Sequence, residues 1–472
     1  MPERNTTVEA SSRVDRLDVR AIAFQLLFIG FALAFPFGLA TSPIVFRDGD
    51  VSWQVAAGEW ILDHGRIPTT DPFSFTAAGH HWVAMEWGAE IIYASAYRLS
   101  GYAGLATVVA AALIALNSIV FFYLQRRASP TIVGATLLMM NIVLGPFMLA
   151  RPHVLAWPLL AGWTVLLLDA AEEGRAPPLW SAAIPLVWTN LHASYPLALV
   201  IAAAIGLDAL INAGWPTLRQ WLVFGIVSIV CLSLNANGIA GLEQPFKTTS
   251  LSVLPLIGEW HPSTTQSTPF FFIVLLAGMA ALLWRGIRVP PGRLLLLIVM
   301  LGMAFLHVRH QSSFIIVAAC VLPPLWRTAP ASSQVPKWLL LGALPLLAFR
   351  VSSPLAPPES HANPRRLIAH VPLELRRQPV FNEYSFGGPL ILARIRPYID
   401  GRAEIYGDAF VRDYAEIADG DIAGFNRAVD RYDIRWTMLS HSNDRLIGMI
   451  ESSGRWRRLY ADNIGVIDVR EQ

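Results

Sequence analysis

The sequence predicts an α-helical polytopic membrane protein with about 11 transmembrane helices, a long first outer loop and a small C-terminal α/β soluble domain. Three observations carry that reading. The 472 residues are 54% hydrophobic and 15% charged, where soluble chains carry roughly 25% charge. Mean hydropathy is +0.46. The charges are also uneven, with 16 Arg and 17 Asp or Glu in residues 359–472, or 33 of the chain's 70. A membrane body followed by a water-soluble tail distributes charge in this way.

Each span needs about 20 apolar residues to cross hydrocarbon roughly 30 Å thick. Candidate runs fall near 21–42, 103–124, 131–150, 153–170, 179–191, 194–212, 219–235, 269–284, 292–308, 311–327 and 336–350. The stretch Trp87–Leu99 is apolar but short and holds Glu90 and Arg98, so it reads as a helix lying at the interface, with a true span as the alternative. With the N-terminus inside, thirteen Arg or Lys fall on the cytoplasmic side and seven on the outer side before the tail. That bias fits the positive-inside rule, and eleven spans then place the tail outside.

The expected organisation is a cytoplasmic segment at 1–20, a transmembrane domain at 21–351 with outer loop 43–86, a Pro-rich linker at 352–360 and an extracytoplasmic α/β domain at 361–472. Within the tail, Val380–Tyr384, Leu390–Ala393, Pro397–Ile399, Trp436–Ser440 and Ile464–Val469 read as strands. Asp421–Arg431 and Arg445–Ser452 read as helices. The N-terminus does not read as a cleavable signal, because about twenty largely polar residues precede Ala21–Ala40. No internal repeat shows in the spans.

Several function classes are disfavoured at once. A net charge of +2 gives no reason to expect nucleic acid. Cys231 and Cys320 lie in apolar runs and form neither a disulfide framework nor a CxxC site. There is no Walker sequence, GxGxxG, Ser-centred elbow or zinc spacing. Arg outnumbers Lys 34 to 2, a ratio that suits genome composition better than phosphate binding.

The informative residues gather on the outer face. The first outer loop holds Arg47-Asp-Gly-Asp50, Trp53, Glu59, Asp63, His64, Asp71, the tandem His80-His81 and Glu86. Other outward connections hold Arg151-Pro-His153, Asn190-Leu-His192, Asn235, Asn237, Glu259-Trp-His261 and Arg309-His310. Ionisable groups near membrane depth are expensive and tend to mark sites. Asp48 and Asp50 suit a divalent cation, or one carboxylate acting as base while the other orients a partner. Asp50 equally suits the N-cap of Val51–Leu62. The Arg-His pairs suit phosphate, or they snorkel to the interface. His192 also suits a buried hydrogen-bonded site, and His80-His81 a loop surface. In the tail, Asn382-Glu-Tyr-Ser-Phe-Gly-Gly388, Asp400-Gly-Arg-Ala-Glu404 and Tyr406-Gly-Asp408 suit a sugar, another loop or plain turns.

Taken together, Asp48-x-Asp50-x-x-Trp53, Ala57–Pro68 and Asp71-Pro-Phe-Ser-Phe-Thr76 resemble the first outer loop of bacterial members of the GT-C glycosyltransferase superfamily. Arg151-Pro-His, Asn190-Leu-His, Glu259-Trp, Arg309-His, Asn382-Glu-Tyr-Ser and Asp400-Gly-Arg extend the resemblance over nearly the whole chain. It implies a transferase in the bacterial inner membrane that moves a sugar from a polyprenyl-phosphate donor to an envelope glycan, lipid or protein. By position it implies Asp50, then Asp48, as catalytic residues. Arg151, His153, Arg309 and His310 become candidates for the donor phosphate, with His192, Glu259 and His261 also in the substrate site. Gln54 departs from relatives that often carry His there, and a divalent cation at Asp48/Asp50 stays open. The competing expectations are a transporter or flippase for a lipid-linked or polar solute, and a non-catalytic assembly protein.

Overall fold

The computed structural model describes residues 19–326, 328 and 334–471. Most of the expected cytoplasmic segment, with Arg4, Arg13 and Arg16, lies outside the described residues, as does Arg327 at the end of the expected 311–327 span. The chain is mostly helical and closes with one small sheet.

A helix lies at each of the eleven apolar runs. Val19–Thr41, Tyr102–Leu124, Pro130–Phe147, Pro152–Glu172, Trp215–Ser233 and Val308–Trp326 are long and apolar enough to cross a membrane by length and composition. Leu179–Thr189, Leu197–Ala213, Pro269–Trp284 and Pro291–Leu306 are apolar but shorter, and Ala343–Ser352 is shorter still. Six helices therefore meet the length criterion, and five of the expected spans fall below it. Trp87–Ser100 is a separate helix outside both groups.

Proline sets several starts in the body. Pro130, Pro152, Pro269 and Pro291 each open a helix, where the missing N–H costs nothing and φ is already helical. Some polar groups inside the body pair across helices. Asn141 donates to the Asn117 side chain (2.7 Å) and to the Leu137 carbonyl (2.8 Å), an interhelical clip in a setting with few alternatives. At the Arg-rich end of the body, Arg127 meets Asp169 (2.5 Å), and Asp208 accepts the Gly292 and Arg293 N–H groups that open Pro291–Leu306.

On the other face, Asp50–His64 lies along Trp87–Ser100. They touch at Gly58, where any Cβ would collide with the Glu90 carbonyl, so only glycine allows the approach.

The tail carries a four-stranded sheet, β1 (Val380–Asn382), β2 (Trp436–Ser440), β3 (Trp456–Ala461) and β4 (Gly465–Arg470), in the order β1-β2-β4-β3. β1 and β2 run parallel with Val380 opposite Trp436, and the other pairings are antiparallel. Helices Ile422–Tyr432 and Asp444–Ser452 lie where expected. Two expected strands are corrected. Leu390–Ala393 falls largely in helix Gly387–Leu392, whose Pro389 favours a helix start. Pro397–Ile399 joins no strand, because the Asn382 side chain takes the Tyr398 N–H (2.7 Å) and bonds the Ile399 carbonyl (2.9 Å) in place of a ladder. Helix Ala403–Ala418 and β3 were not anticipated.

Outer loop and tail share one hydrophobic core in which Trp53, Ala57 and Trp82 pack with Phe381, Tyr398 and Tyr406. A buried charge cluster runs through it. Arg402 has a fully buried side chain and donates to Asp71 (2.8 Å) and to both Asp400 oxygens (2.8 and 2.6 Å). The Tyr406 hydroxyl donates to Asp400 (2.6 Å), and the guanidinium lies over Trp82 at 4.9 Å and Phe73 at 5.2 Å. Breaking a buried pair by removing one partner typically costs about 3–5 kcal/mol. Arg402→Met should therefore lower the melting temperature of the detergent-solubilised protein and expose the tail to protease. Ser442→Ala, in the tail but away from the cluster, should leave both unchanged.

Candidate functional site

The site begins with Asp48-Gly-Asp50. Asp48 Oδ1 accepts the Asp50 N–H (2.9 Å), so Asp48 closes the turn into helix Asp50–His64 and the Asp50 side chain is free to point elsewhere. The N-cap position that sequence offered to Asp50 is held by Gly49, and Asp50 is the first helical residue. Two tail motifs then close on this turn. A Cβ at Gly401 would run into the Asp50 carboxylate, and one at Gly388 would meet the Gly49 carbonyl. Glycine at both positions lets the tail backbone lie directly against the aspartates. Asp408 accepts the Ser252 and Val253 N–H groups (3.0 and 3.1 Å), so the tail also anchors the loop that leads to Glu259.

Arg151 draws the acids together. It reaches Asp48 at 2.9 Å, Asp50 at 3.1 Å and Glu259 at 3.1 Å. Arg309 holds the other Glu259 oxygen at 3.0 Å and stacks over Trp260 at 4.5 Å. One carboxylate thus spans two guanidinium groups.

Two cavities adjoin at this chain of ions. The first, about 350 Å³, is lined by Asp50, Trp53, Trp82, Glu86 and Glu90, with Tyr384, Arg402 and Glu404 from the tail. The second, about 400 Å³, is lined by His153, Trp157, Trp188, His192 and His310. Asp48, Glu86, Arg151, Glu259, Trp260 and Arg309 border both.

Protonation follows from enclosure. Burial, then repulsion from Asp48, raises Asp50 to about 7 against the pull of Arg151. Burial raises Glu86 to about 7 as well. For Glu259 burial pushes up, but Arg151 and Arg309 outweigh it and hold the group at about 2. His192 is driven well below its ordinary value by burial and then by His153, Arg309 and Arg151, so its ring is neutral, with Nδ1 bonded to the Ser194 hydroxyl (2.7 Å). An ionised Glu259 beside acids that titrate near neutrality is an arrangement suited to proton transfer.

Of the residues singled out in the sequence, Asp48, Asp50, Arg151, His153, His192, Glu259, Arg309 and His310 all border these cavities. His261 does not. It is solvent-exposed and bonds the Pro255 carbonyl at 2.8 Å, because its turn directs Trp260 inward instead. Asn190 and Asn237 are structural clips, taking the Trp87 indole N–H (2.9 Å) and donating to the Ala84 carbonyl (3.0 Å). The open question of a divalent cation meets a specific obstacle. The Arg151 guanidinium occupies the space between Asp48 and Asp50, and among the described residues no three His, Cys, Asp or Glu form a metal-holding group. As arranged, the pair fits a guanidinium partner rather than a metal ion. Glu90, Tyr384 and Glu404 were not singled out for this site. Glu90 had one visible signal, a carboxylate inside an otherwise apolar helix.

No family model matches the sequence, and a search of curated proteins finds no match. Among solved structures, the fold is similar to the oligosaccharyltransferase of Archaeoglobus fulgidus in its apo form, at 12% identity and a TM-score of 0.51. The alignment covers 91% of this chain and 70% of that one. At this identity the likeness is one of fold.

The raised Asp50 value has a consequence for stability. A carboxyl whose pKa rises from 3.8 to about 7 on folding favours the folded state fully only below 3.8, and that contribution fades as pH climbs through about 7. Between pH 5 and 8 the melting temperature of wild type should fall. Asp50→Asn should show a shallower decline, and adding Glu86→Gln should flatten it further.

Proposed function

We propose that the chain is a membrane glycosyltransferase that moves a sugar from a polyprenyl-phosphate donor to an envelope acceptor. The reading further places this on the outer side of a bacterial inner membrane, with eleven crossings, the N-terminus inside and the tail outside. One observation carries it most. Arg151 ties Asp50 to Glu259 and Arg309 at the wall between two cavities, so a base and a phosphate-binding pair sit side by side. The oligosaccharyltransferase-like fold and the GT-C resemblance of the motifs agree with it.

The donor would lie in the second cavity with its phosphate against Arg151 and Arg309. Guanidinium groups suit phosphate because their N–H donors match its oxygens in pairs. Glu259 already spans those two groups, as an anion must. His153, His192 and His310 line the same space and contribute hydrogen bonds. A third cavity of about 380 Å³ is almost wholly apolar and lies between helices Pro130–Leu144, Pro269–Trp284 and Pro291–Leu306. It suits an isoprenoid chain, and its Phe314 directly follows Ser313 of the donor cavity.

In the transfer step an acceptor hydroxyl oxygen attacks the anomeric carbon while the bond from that carbon to the phosphate oxygen breaks. The hydroxyl proton passes to the Asp50 carboxylate. The departing phosphate takes the bonding pair, and its growing charge meets Arg151 and Arg309, already in place. A base titrating near 7 is well matched to neutral conditions, holding its proton weakly enough to release it afterwards.

Asp50→Asn should lower transfer by about 10²–10⁴-fold, the usual effect of losing a positioned base. The readout is envelope glycans and glycolipids in a deletion strain complemented with each variant at equal protein level. Full rescue by both Asp50→Asn and Asp48→Asn would sink the proposal. For topology, a single cysteine at Ser442 in the tail should label with an impermeant reagent added outside intact spheroplasts.

A further inference from the structure

We infer that the first cavity is the acceptor subsite and that it takes a carbohydrate, held through its hydroxyl groups by Glu86, Glu90 and Glu404 against the indoles of Trp53 and Trp82. The inference rests on the transferase reading above and adds the chemical class of the acceptor, which the motifs leave open between glycan, lipid and protein.

Glu90 supplies the observation that points to a ligand. Its residue is 1% exposed, it borders the cavity, and its Oε2 has no hydrogen-bond partner among the described residues. A buried carboxyl oxygen without a partner is costly, and such groups in native proteins call for an explanation. A bound hydroxyl supplies one. Glu86, at the N-cap of the helix that carries Glu90, and Glu404, from the tail, border the same space, so the carboxyls converge from two separate elements.

The chemistry of the wall favours hydroxyls over charged groups. Burial raises Glu86, Glu90 and Glu404 and so favours their protonated forms, in which a carboxyl both donates and accepts. A sugar hydroxyl also donates and accepts, so every pairing is satisfiable. A phosphate or carboxylate ligand there would face further acids, because the bordering Arg151, Arg309 and Arg402 are already paired with carboxylates. A peptide backbone would leave much of this acid wall unmatched. Trp53 and Trp82, largely buried and with Arg402 over the Trp82 ring, also border the cavity and add apolar wall that can meet the C–H groups of a sugar. The volume, about 350 Å³, lies within the roughly 300–1,000 Å³ of small-molecule pockets. Asp50 borders the cavity too, so a hydroxyl of the bound sugar meets the base while Arg151 separates it from the donor phosphate.

The test uses the full chain in nanodiscs and saturation-transfer difference NMR. The probes are methyl glycosides of glucose, galactose, mannose and N-acetylglucosamine, with ethanolamine as a cationic control. Native mass spectrometry of the same samples reads binding of a polyprenyl phosphate. At least one methyl glycoside should bind wild type. Glu90→Leu should weaken it by about tenfold or more, the share of one good hydrogen bond. Glu90→Gln, which keeps shape and both hydrogen-bonding roles, should weaken it less, and Glu404→Gln guards against a folding defect peculiar to position 90. The inference is overturned if no glycoside binds, if ethanolamine binds in their place, or if Glu90→Leu and Glu404→Gln change nothing. Polyprenyl phosphate binding separates the two ideas. Its retention alongside any of those results removes the acceptor inference alone, whereas its absence from wild type removes the transferase reading.

Discussion

The fully buried ion cluster of Arg402 with Asp71 and Asp400 is the constraint on which the half of the molecule that holds the two cavities depends. Charges taken out of water are stable only if every hydrogen-bonding position is met. Here Asp71 also accepts the Phe73 and Ser74 N–H groups, Asp400 accepts the Tyr406 hydroxyl, and aromatic rings cover the guanidinium. Because Asp71 belongs to the outer loop and Arg402 to the tail, satisfying the cluster docks one on the other. Gly401, between Asp400 and Arg402, is thereby pressed against Asp50. The position of the proposed base is set by a buried salt bridge whose Arg402 also borders the first cavity.

A second layer of electrostatics is left incomplete. Arg151 faces three carboxylates and Arg309 one of the same three, while Glu86, Glu90 and Glu404 have no cation of their own at bonding distance among the described residues. Burial raises all three and so favours their neutral forms. The result is an acid wall whose charge burial disfavours, beside two guanidinium groups bridged by one carboxylate, Glu259. Rigid packing and unsatisfied chemistry thus sit a few residues apart, and the packing holds the chemistry in register.

Much of this was legible in the sequence, for identifiable reasons. Apolar runs and the prolines that open them mark the helices of the body, and the Asp, Arg and His residues between them include most of those that border the two cavities. Local spacing could not tell which residues of a short turn face inward: it offered Glu259 and His261, whereas the fold turns Glu259 and Trp260 toward the cavities and leaves His261 exposed. Glu90 looked like a blemish in an interfacial helix, because its significance lies in a cavity formed by residues some three hundred positions away. Strand β3 was hidden by Arg457 and Arg458, which break its apolar pattern. The Pro397–Ile399 segment looked like a strand because the sequence does not show that the Asn382 side chain supplies its hydrogen bonds.

The central claim is that Arg151 and Arg309 hold a lipid phosphate at a wall shared with Asp50. Cryo-electron microscopy of the protein in nanodiscs with a polyprenyl phosphate tests it most directly. The account predicts phosphate density between the two guanidinium groups, within hydrogen-bonding distance of both, with Glu259 moved off at least one. Phosphate density at the opposite end of the body near Arg127 or Arg293, with Glu259 still bridging Arg151 and Arg309, would contradict it.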